Sequence, residues 1–516
     1  MLHAVYRIAP TPGHAAGMAL AAGLDVEFPS QATASGLRPL IEDGTFAEEE
    51  LDRAVTRVLE LKARLGLVPE IRPSRPIPAA PRLERHLPDD AARAVATAAV
   101  TLLANDGVLP LKRGTGKTAI VGPAADELRV HFGAYSTVSE AEMVTAVHLI
   151  TTGQLPGMTV VPDVLPDLFQ TRFPGIEPIF EAQTRTLHPQ ALTLAEAVRA
   201  VDAAVEYHAF GSLDRDEPLD VTTLEAVLHD VDIVIAVVGE RTGWTGNNTA
   251  GEGRTSASPT LPGNQEKLIT ALHDLGKRLV TVVVTGRPLL LLPVHEASNA
   301  VVLAPLLGPM AGSVIADCLF GISDPGGRIP STFPRHFGQV PMYHGHPAGS
   351  GYEHPTLPRP GYVDLDDNGP LYPFGHGLSY TDFDVELLSA WVEAGEITVK
   401  GFARNIGDRP GTSVVQLYAR DEAASIVRPV KQLVHFRRVF LEAGQCQEIE
   451  FRVPLDRLAY TWMDGRRGLE AGDVTMMLGL SSSDIRAQTA VTVPEWLAEG
   501  ASRLLPTATS VARVVA

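Results

Sequence analysis

Short apolar runs that alternate with helical patterns between residues 91 and 345 restrict the fold of this chain more than any other feature. The runs occupy residues 118–122, 231–239, 279–285 and 300–307. The second run carries one charged residue, Asp232, and is otherwise almost wholly apolar, as is typical of a strand covered on both faces. Helical patterns lie at residues 91–105, 262–275 and 310–320. This alternation predicts an α/β sandwich with a mainly parallel sheet over residues 91–345, although residues 130–200 show no regular pattern.

The pattern changes after a connector at residues 346–385. Apolar and polar residues now alternate, and glycines separate the alternating segments. The apolar positions are Ile397 and Val399, Val415 and Leu417, then Ile449, Phe451 and Val453. Such short alternating strands predict a fibronectin type III-like β-sandwich over residues 386–495. Residues 496–516 are expected to form a loosely ordered tail.

The first 68 residues read as a helix, a short strand, a loop and a long amphipathic helix. Thr45 and Glu48 have the spacing of a capping box at the start of the long helix, and Gly66 is placed to end it. Residues 69–90 are rich in proline and predict an extended linker. The whole chain is therefore expected to be a multidomain α/β protein with a C-terminal β-sandwich.

Composition excludes several classes of partner. The chain has 516 residues and a formal net charge of -18, which argues against nucleic acid and anionic membranes because both require a basic face. No apolar run reaches the ~18 residues that a membrane span needs. The two cysteines do not form a CxxC pair, and the loop histidines do not have the spacing of a metal site, so no metal is expected. We expect a cytoplasmic protein, with the qualification that its true start could be missing, and a neutral partner such as a sugar is compatible with the charge.

The segment most informative about chemistry is the glycine-rich loop at residues 239–262, named loop 239–262 below. It follows a predicted parallel strand, and ligands of open α/β sheets bind at the carboxyl ends of such strands. The loop carries two carboxylates, Glu240 and Glu252, and one indole, Trp244. A carboxyl group can transfer protons and an aromatic ring can cover a pyranose face. From the residue types alone, a solvated loop without chemical function remains open as the alternative.

Six ordered motifs together resemble glycoside hydrolase family 3, the β-glucosidases and β-xylosidases. The Gly251-Glu-Gly-Arg-Thr-Ser segment is similar to the acid/base loop of that family, and the other motifs extend the resemblance over nearly the whole chain. They are Ala22-Gly-Leu-Asp-Val-Glu-Phe-Pro29, the helix at 51–66, Thr101-Leu-Leu-Ala-Asn-Asp-Gly-Val-Leu-Pro-Leu111, Asp324-Pro-Gly-Gly-Arg-Ile-Pro-Ser-Thr-Phe-Pro334 and Tyr372-Pro-Phe-Gly-His-Gly-Leu-Ser-Tyr-Thr381. By this resemblance, residues 1–68 correspond to the C-terminal remnant of a (β/α)8 (TIM) barrel.

The resemblance implies hydrolysis of terminal β-linked sugars with retention and without a cofactor. It gives Glu252 the role of general acid/base, with Glu240 as the rival carboxylate. Trp244 and Arg254 are candidates for contact with the sugar, whereas Arg287 is expected to brace the loop.

A second carboxylate is not found where the family has one. The family's nucleophile is an aspartate in a Ser-Asp-Trp or Ser-Asp-Tyr motif, and this sequence contains neither; Asp25 matches a different position of the family. We therefore expect a truncated glycosidase that lacks its nucleophile and most of its barrel. The alternative is a non-catalytic carbohydrate-binding or scaffolding remnant. Apolar faces left over from the barrel would favour self-association.

Overall fold

A computed structural model describes residues 2–28, 34–68, 89–154, 171–173, 175–354, 361–498 and 509–515. The chain divides into two compact units, residues 1–87 and residues 88–516. The predicted linker at 69–90 lies almost entirely outside the described residues.

Unit 1 is helical in its described residues. Its helices are α1 (Pro12–Ala21), α2 (Leu37–Glu42) and α3 (Glu48–Arg64). The described residues of unit 1 contain no strand, although a short one was expected after the first helix. Thr11 caps α1, accepting a hydrogen bond from the His14 amide.

The predicted capping box of α3 is wrong. The N-cap is Ala47, without a side-chain bond, and the Thr45 amide instead donates to Asp43 Oδ1 at 2.9 Å. Glu48 therefore occupies the first helical position, where its charge is favourable beside the positive end of the helix dipole. The end of α3 agrees with the prediction, since Gly66 has a φ of 69°.

Much apolar surface of unit 1 is exposed. In α3 only Ala54 is buried. Large apolar side chains with substantial exposure are Val5, Tyr6, Ile8, Met18, Leu24, Val26, Phe28, Val55, Leu59, Leu61, Leu65 and Leu67. An amphipathic helix normally covers a core with such residues, so the apolar stripe of α3 is largely without cover.

Unit 2 begins with a six-stranded sheet. The strands are β1 (Thr101–Asn105), β2 (Thr118–Val121), β3 (Glu206–His208), β4 (Ile233–Gly239), β5 (Arg278–Val284) and β6 (Ala300–Ala304). Their order is β1-β6-β5-β4-β2-β3, and only β1 runs antiparallel to its neighbour. The mainly parallel sheet inferred from the apolar runs is confirmed.

The helices of this region are α4 (Asp89–Ala99), α5 (Thr137–Thr151), α6 (Glu177–Leu187), α7 (Leu194–Val201), α8 (Val221–Val227), α9 (Gln265–Asp274), α10 (Leu292–Ala297) and α11 (Ala311–Leu319).

The apolar character of β4 follows from its position in the middle of this sheet. Ile235 and Val237 pack on one face, with residues of α4, α7 and α11. Val234, Ala236 and Val238 pack on the other face, with residues of α8, α9 and α10. Since successive side chains of a strand point to opposite faces, a strand covered on both sides must be apolar at every position.

The structure changes or completes the sequence interpretation of two segments. The helical pattern at 91–105 is a helix that ends at Ala99 followed by the strand β1, which pairs with β6 at the edge of the sheet. Residues 130–200, to which the sequence assigns no structure, contain α5, α6 and most of α7 in their described part. A small core of Ala146, Ile150, Phe173, Ile176 and Phe180 joins α5 to α6.

The C-terminal region is a β-sandwich, as predicted. Its strands are β7 (Phe383–Glu393), β8 (Glu396–Asn405), β9 (Gly411–Asp421), β10 (Gln432–Leu441), β11 (Cys446–Pro454), β12 (Tyr460–Thr461), β13 (Arg467–Gly468), β14 (Gly472–Gly479), β15 (Ile485–Val493) and β16 (Thr509–Val515). One sheet has the order β10-β9-β14-β15 and the other β16-β11-β8-β7, while β12 and β13 form a short ribbon. Their inner faces enclose one apolar core.

The C-terminal tail is more regular than expected. A short helix, α12 (Glu495–Ala498), precedes the last strand, and β16 pairs antiparallel with Cys446–Arg452 of β11. The prediction of a loose tail is wrong for residues 509–515, because the outer edge of β11 supplies backbone partners that no local pattern can reveal. The remaining helical turns are 3₁₀ helices at Ala34–Gly36, Arg129–His131, Gly308–Met310, Phe337–Gln339 and Leu455–Arg457.

Asp324 joins the α/β region to the sandwich within unit 2. Its Oδ1 accepts hydrogen bonds from the Ser379 hydroxyl at 2.7 Å and the Tyr380 amide at 2.9 Å. Its Oδ2 accepts from the Thr412 amide of β9 at 2.8 Å. The first residue of the Asp-Pro-Gly-Gly motif is thus a clamp between the two regions, a role beyond the turn that its glycines and prolines indicate.

Candidate active site

Loop 239–262 leaves the sheet at the carboxyl end of β4, next to β2 and β5. Gly239 has a φ of 155°, and a Cβ at this position would lie 2.1 Å from the carbonyl oxygen of Val284. A glycine is therefore required where the chain turns away from the sheet. This turn puts the whole loop at the edge where α/β sheets bind ligands.

Glu240, at the base of the loop, is enclosed. Its side chain is 4% exposed, and its carboxylate accepts from Arg287 Nη2 at 2.6 Å, from Arg287 Nε at 2.9 Å and from Thr285 Oγ1 at 2.8 Å. A carboxylate with this set of charge-assisted partners has its acceptor sites committed to the protein. Glu240 does not line the cavity that contains Glu252.

Arg287 acts on both ends of the loop. Besides Glu240, it contacts the carbonyl oxygen of Ser256 at 3.5 Å through Nη1. The guanidinium therefore connects the loop's base to its returning segment, which is the bracing arrangement expected from the sequence.

Two further arginines hold the interior of the loop, and the sequence analysis did not single out either of them. Arg241 is buried, pairs with Glu127 at 2.7 Å and donates to the carbonyl oxygen of Asn247 at 2.8 Å. Arg129 is buried, pairs with Glu142 of α5 and donates to the carbonyl oxygen of Thr242 at 2.5 Å. Both bind backbone carbonyls of the loop, so they fix its path.

The environment of Glu142 is of low polarity. Burial raises the pKa of the Glu142 carboxyl, and the charge of Arg129 opposes this shift. Buried ion pairs of this kind contribute little net stability, but removal of one partner is costly. The pair therefore fixes the position of Arg129, and through it the position of the loop.

Close backbone approaches fold the loop back on itself. A Cβ on Gly251 would lie 1.6 Å from the carbonyl oxygen of Gly243. Isolated bridges join Thr242 to Ala250 and Gly251 to Arg254. Glycine at position 251 is thus a steric requirement, and the residue after it, Glu252, is presented at the tip.

Glu252 faces a concave region of about 530 Å³ lined by two segments of the chain, residues 133–136 and loop 239–262, with Leu306 at one side. The Tyr135 hydroxyl donates a hydrogen bond to Glu252 Oε2. The ring of Tyr135 meets the Trp244 indole edge to face, with centroids 5.5 Å apart. Among the described residues that line this region, Glu252 is the one carboxylate.

The two candidate sugar contacts differ in how directly they meet the cavity around Glu252. Arg254 lines the cavity, and its Nη1 donates to the carbonyl oxygen of Thr245 at 3.3 Å. Trp244 is half-buried and reaches the cavity through its contact with Tyr135. The structure therefore groups Glu252, Tyr135 and Arg254 and keeps Glu240 apart from them.

Within unit 1, Asp25 accepts a hydrogen bond from Arg57 at 2.8 Å, which lowers the pKa of its carboxyl.

Family models match two regions of the chain. The model described as the glycosyl hydrolase family 3 C-terminal domain matches residues 100–380. A second, described as a fibronectin type III-like domain, matches residues 413–482. The first match contains loop 239–262, and the second lies within the β-sandwich.

Curated relatives carry glycosidase names. The chain is 32% identical over 492 residues to a periplasmic beta-glucosidase of Salmonella typhimurium, a match that covers 93% of this chain and 60% of that protein. It is 34% identical over 262 residues to a beta-xylosidase of Formosa agariphila, covering 49% of this chain and 34% of that protein. The chain thus spans about three fifths of the first of these relatives.

Solved structures give the same result for the fold. A beta-glucosidase from Listeria innocua in complex with isofagomine matches with a TM-score of 0.73 and 28% identity, over 94% of this chain and 61% of that one. A mutant of the Listeria enzyme, in complex with laminaribiose, matches with a TM-score of 0.72 and 29% identity, over 94% of this chain and 60% of that one. In the described part of this chain, no helix has the length and apolar character needed to cross a membrane.

Proposed function

Because the chain belongs to glycosyl hydrolase family 3, we propose that it supplies the general acid/base of a β-glucosidase or β-xylosidase, with Glu252 in that role. The observation that carries this proposal is the contrast between the two loop carboxylates. Glu240 is enclosed and paired with Arg287, whereas Glu252 is partly exposed in a cavity and has a hydroxyl donor beside it.

Glu252 would act in both halves of a retaining reaction. The protonated carboxyl donates its proton to the leaving oxygen, and the resulting carboxylate then accepts a proton from the attacking water. Tyr135 holds Oε2, so Oε1 is the oxygen that we assign to proton transfer. We propose Arg254, which lines the cavity, and Trp244, which contacts Tyr135, as the sugar contacts. The chemistry requires no metal or organic cofactor.

Retention also needs a nucleophile about 5–5.5 Å from the acid/base. The described lining of the cavity offers no second carboxylate, and the sequence has no Ser-Asp-Trp or Ser-Asp-Tyr. We propose that the nucleophile belongs to a barrel outside this sequence, in a longer form of the protein or in another polypeptide. Hydrolysis is then a property of the assembled site.

The test compares two leaving groups. Glu252→Gln is assayed in the longer form, or in this chain supplied with the barrel, using an alkyl β-glucoside and a dinitrophenyl β-glucoside. Loss of proton donation should slow the alkyl substrate by about 10²–10⁴-fold and should affect bond cleavage in the dinitrophenyl substrate far less, because that leaving group departs without a proton. Glu225→Gln, on the exposed side of α8, is the control and should change neither rate. Equal rates for Glu252→Gln and the control would rule out the assigned role.

A non-catalytic carbohydrate-binding remnant is the second candidate. It is favoured by the same single carboxylate in the described lining of the cavity, since binding needs no nucleophile. Sugar binding by the chain in the absence of turnover, both alone and with the barrel present, would support it. Turnover that depends on Glu252 would exclude it.

We also propose that unit 1 promotes self-association, because α3 exposes Val55, Leu59 and Leu61. Light scattering at increasing concentration tests this, with Leu59→Glu and Leu61→Glu expected to shift the chain towards the monomer. An unchanged mass distribution would contradict it.

A cytoplasmic location remains a prediction.

A further inference from the structure

A second concave site lies in unit 2, in the segment of the chain that follows α11 and precedes β7. It has a volume of about 470 Å³ and is lined by residues 338–343, His346, residues 350–352, Gly361, Tyr362 and Asn368. This size is in the ordinary range of small-molecule sites. None of its lining residues belongs to the cavity around Glu252.

The walls of this site are fixed by hydrogen bonds. The buried Gln339 side chain accepts from the amides of Arg335 and His336, and it donates to the carbonyl oxygens of Asn368 and Gly369. The Tyr362 hydroxyl donates to the carbonyl oxygen of Gly338 at 2.6 Å. Two distant segments of the chain are therefore joined, and the site needs little ordering on binding.

His346 forms part of the floor in one protonation state. Its Nδ1 lies 3.1 Å from the carbonyl oxygen of Pro347, and its Nε2 accepts from the Glu353 amide at 3.3 Å. One nitrogen must donate and the other accept, which is the neutral imidazole. A Cβ on Gly351 would lie 2.2 Å from this ring, so the backbone packs directly on it.

The lining is aromatic and uncharged. It contains the rings of Tyr343, Tyr352 and Tyr362, and among its described residues it includes no lysine, arginine, aspartate or glutamate. Tyr343 and Tyr362 are 51% and 48% exposed, so their faces are open to a ligand. Burial, with a contribution from the Glu353 charge, raises the pKa of Tyr352 to about 12, which keeps its hydroxyl neutral.

We propose that this site binds a neutral saccharide unit, with the Tyr343 and Tyr362 rings against the pyranose and the hydroxyl and amide groups of the wall hydrogen-bonded to its edge. An anionic ligand would find no cation in the described lining, and a cation would find no carboxylate there. A purely apolar ligand would displace water from the Tyr343 hydroxyl and the Asn368 amide nitrogen without offering them a hydrogen bond, which is unfavourable. A ring with apolar faces and a polar edge satisfies all of these groups.

Calorimetry with cellobiose tests the proposal on the full chain carrying Glu252→Gln, so that turnover does not interfere. Tyr343→Ala and Tyr362→Ala should each weaken binding about 2- to 10-fold, and the double variant should abolish it. Tyr362→Phe keeps the ring and should retain binding. Because no charged residue is found in the described lining of the site, affinity should be the same at low and high salt.

Tyr135→Ala is the matched control, since it removes an exposed tyrosine from the other cavity. Binding that survives Tyr135→Ala and is lost in the double variant, at an unchanged thermal midpoint, supports the proposal. It is overturned if cellobiose does not bind saturably, if the double variant binds as well as its parent, or if Tyr135→Ala alone removes the binding. The kinetic test of Glu252 is separate, so either assignment can fail without the other.

Discussion

The enclosure of Glu240 makes Arg287→Met a decisive substitution. Methionine keeps an unbranched stem and removes the guanidinium, which donates to both oxygens of a carboxylate that is 4% exposed. Removal of one partner from a buried ion pair costs about 3–5 kcal/mol. Arg287 is itself 26% exposed, so water can reach the vacated position, and we expect a loss of about 3 kcal/mol, the lower end of that range.

The loss is measured as the change in free energy of unfolding from urea titrations followed by tryptophan fluorescence. Arg215→Met is the control, because Arg215 and Glu217 form a pair at 3.3 Å in which both side chains are more than half exposed. Exposed pairs contribute about 0–1 kcal/mol, so this variant should unfold near the parent midpoint. Combining Arg287→Met with Glu240→Gln should recover much of the stability, since the second change removes the uncompensated charge.

Two results would refute the reasoning. Arg287→Met could be as mild as the exposed control, which would mean that water reaches Glu240 freely. Alternatively, the double variant could be less stable than Arg287→Met, which would mean that the glutamate is stabilised by other groups. The first result would restore Glu240 as a rival of Glu252.

Three other substitutions test the remaining structure. Gly251→Ala places a Cβ 1.6 Å from the carbonyl oxygen of Gly243, so it should cost about 1–3 kcal/mol and abolish the turnover proposed for the site assembled with the barrel. Gly276→Ala is the control, because a Cβ there would meet no atom within 4 Å, and it should leave that turnover unchanged. Burial lowers the pKa of His131 to about 4, below the ordinary value near 6.5, so the folded state binds fewer protons than the unfolded state between these two pH values. The free energy of unfolding should therefore be complete above pH 6.5 and fall by up to about 3 kcal/mol towards pH 4. Urea titrations at several pH values measure this slope, and His131→Leu should reduce it. Asp324→Ala removes three accepted hydrogen bonds and should cost about 3 kcal/mol by calorimetry, with Asp324→Asn intermediate; equal melting of all three proteins would contradict the clamp.

The parallel sheet was predictable because its evidence is local. Both faces of β4 are covered, so every residue of the strand is apolar, and that run is visible in the sequence. The end of α3 was predictable for the same reason, since Gly66 acts within one helical turn.

Features that depend on distant partners were not predictable. Residues 101–105 continue the apolar pattern of α4, and only their pairing with β6 makes them a strand. Arg129 and Arg241 have the side chains of surface residues, yet each is buried by acidic partners more than ten residues away. Tyr135 reaches Glu252 across 117 positions of sequence, so no motif search would join them.

The family motif singled out Glu252, whose role stays a proposal, whereas the surroundings of this carboxylate come from the fold. The glutamate belongs to a segment whose glycines and spacing are readable in the sequence. The hydroxyl donor and the arginines that fix the loop are contributed by side chains that give no such signal.

The base and the far side of loop 239–262 differ in how well they tolerate substitution. Its base is fixed by Gly239, by the Glu240–Arg287 pair and by Arg241, and a change at any of these disturbs the edge of the sheet. Its far side, around Ala257 and Ser258, is exposed. Insertions or substitutions there leave the supports of the loop's base in place, so these positions can accept sequence variation that the base cannot.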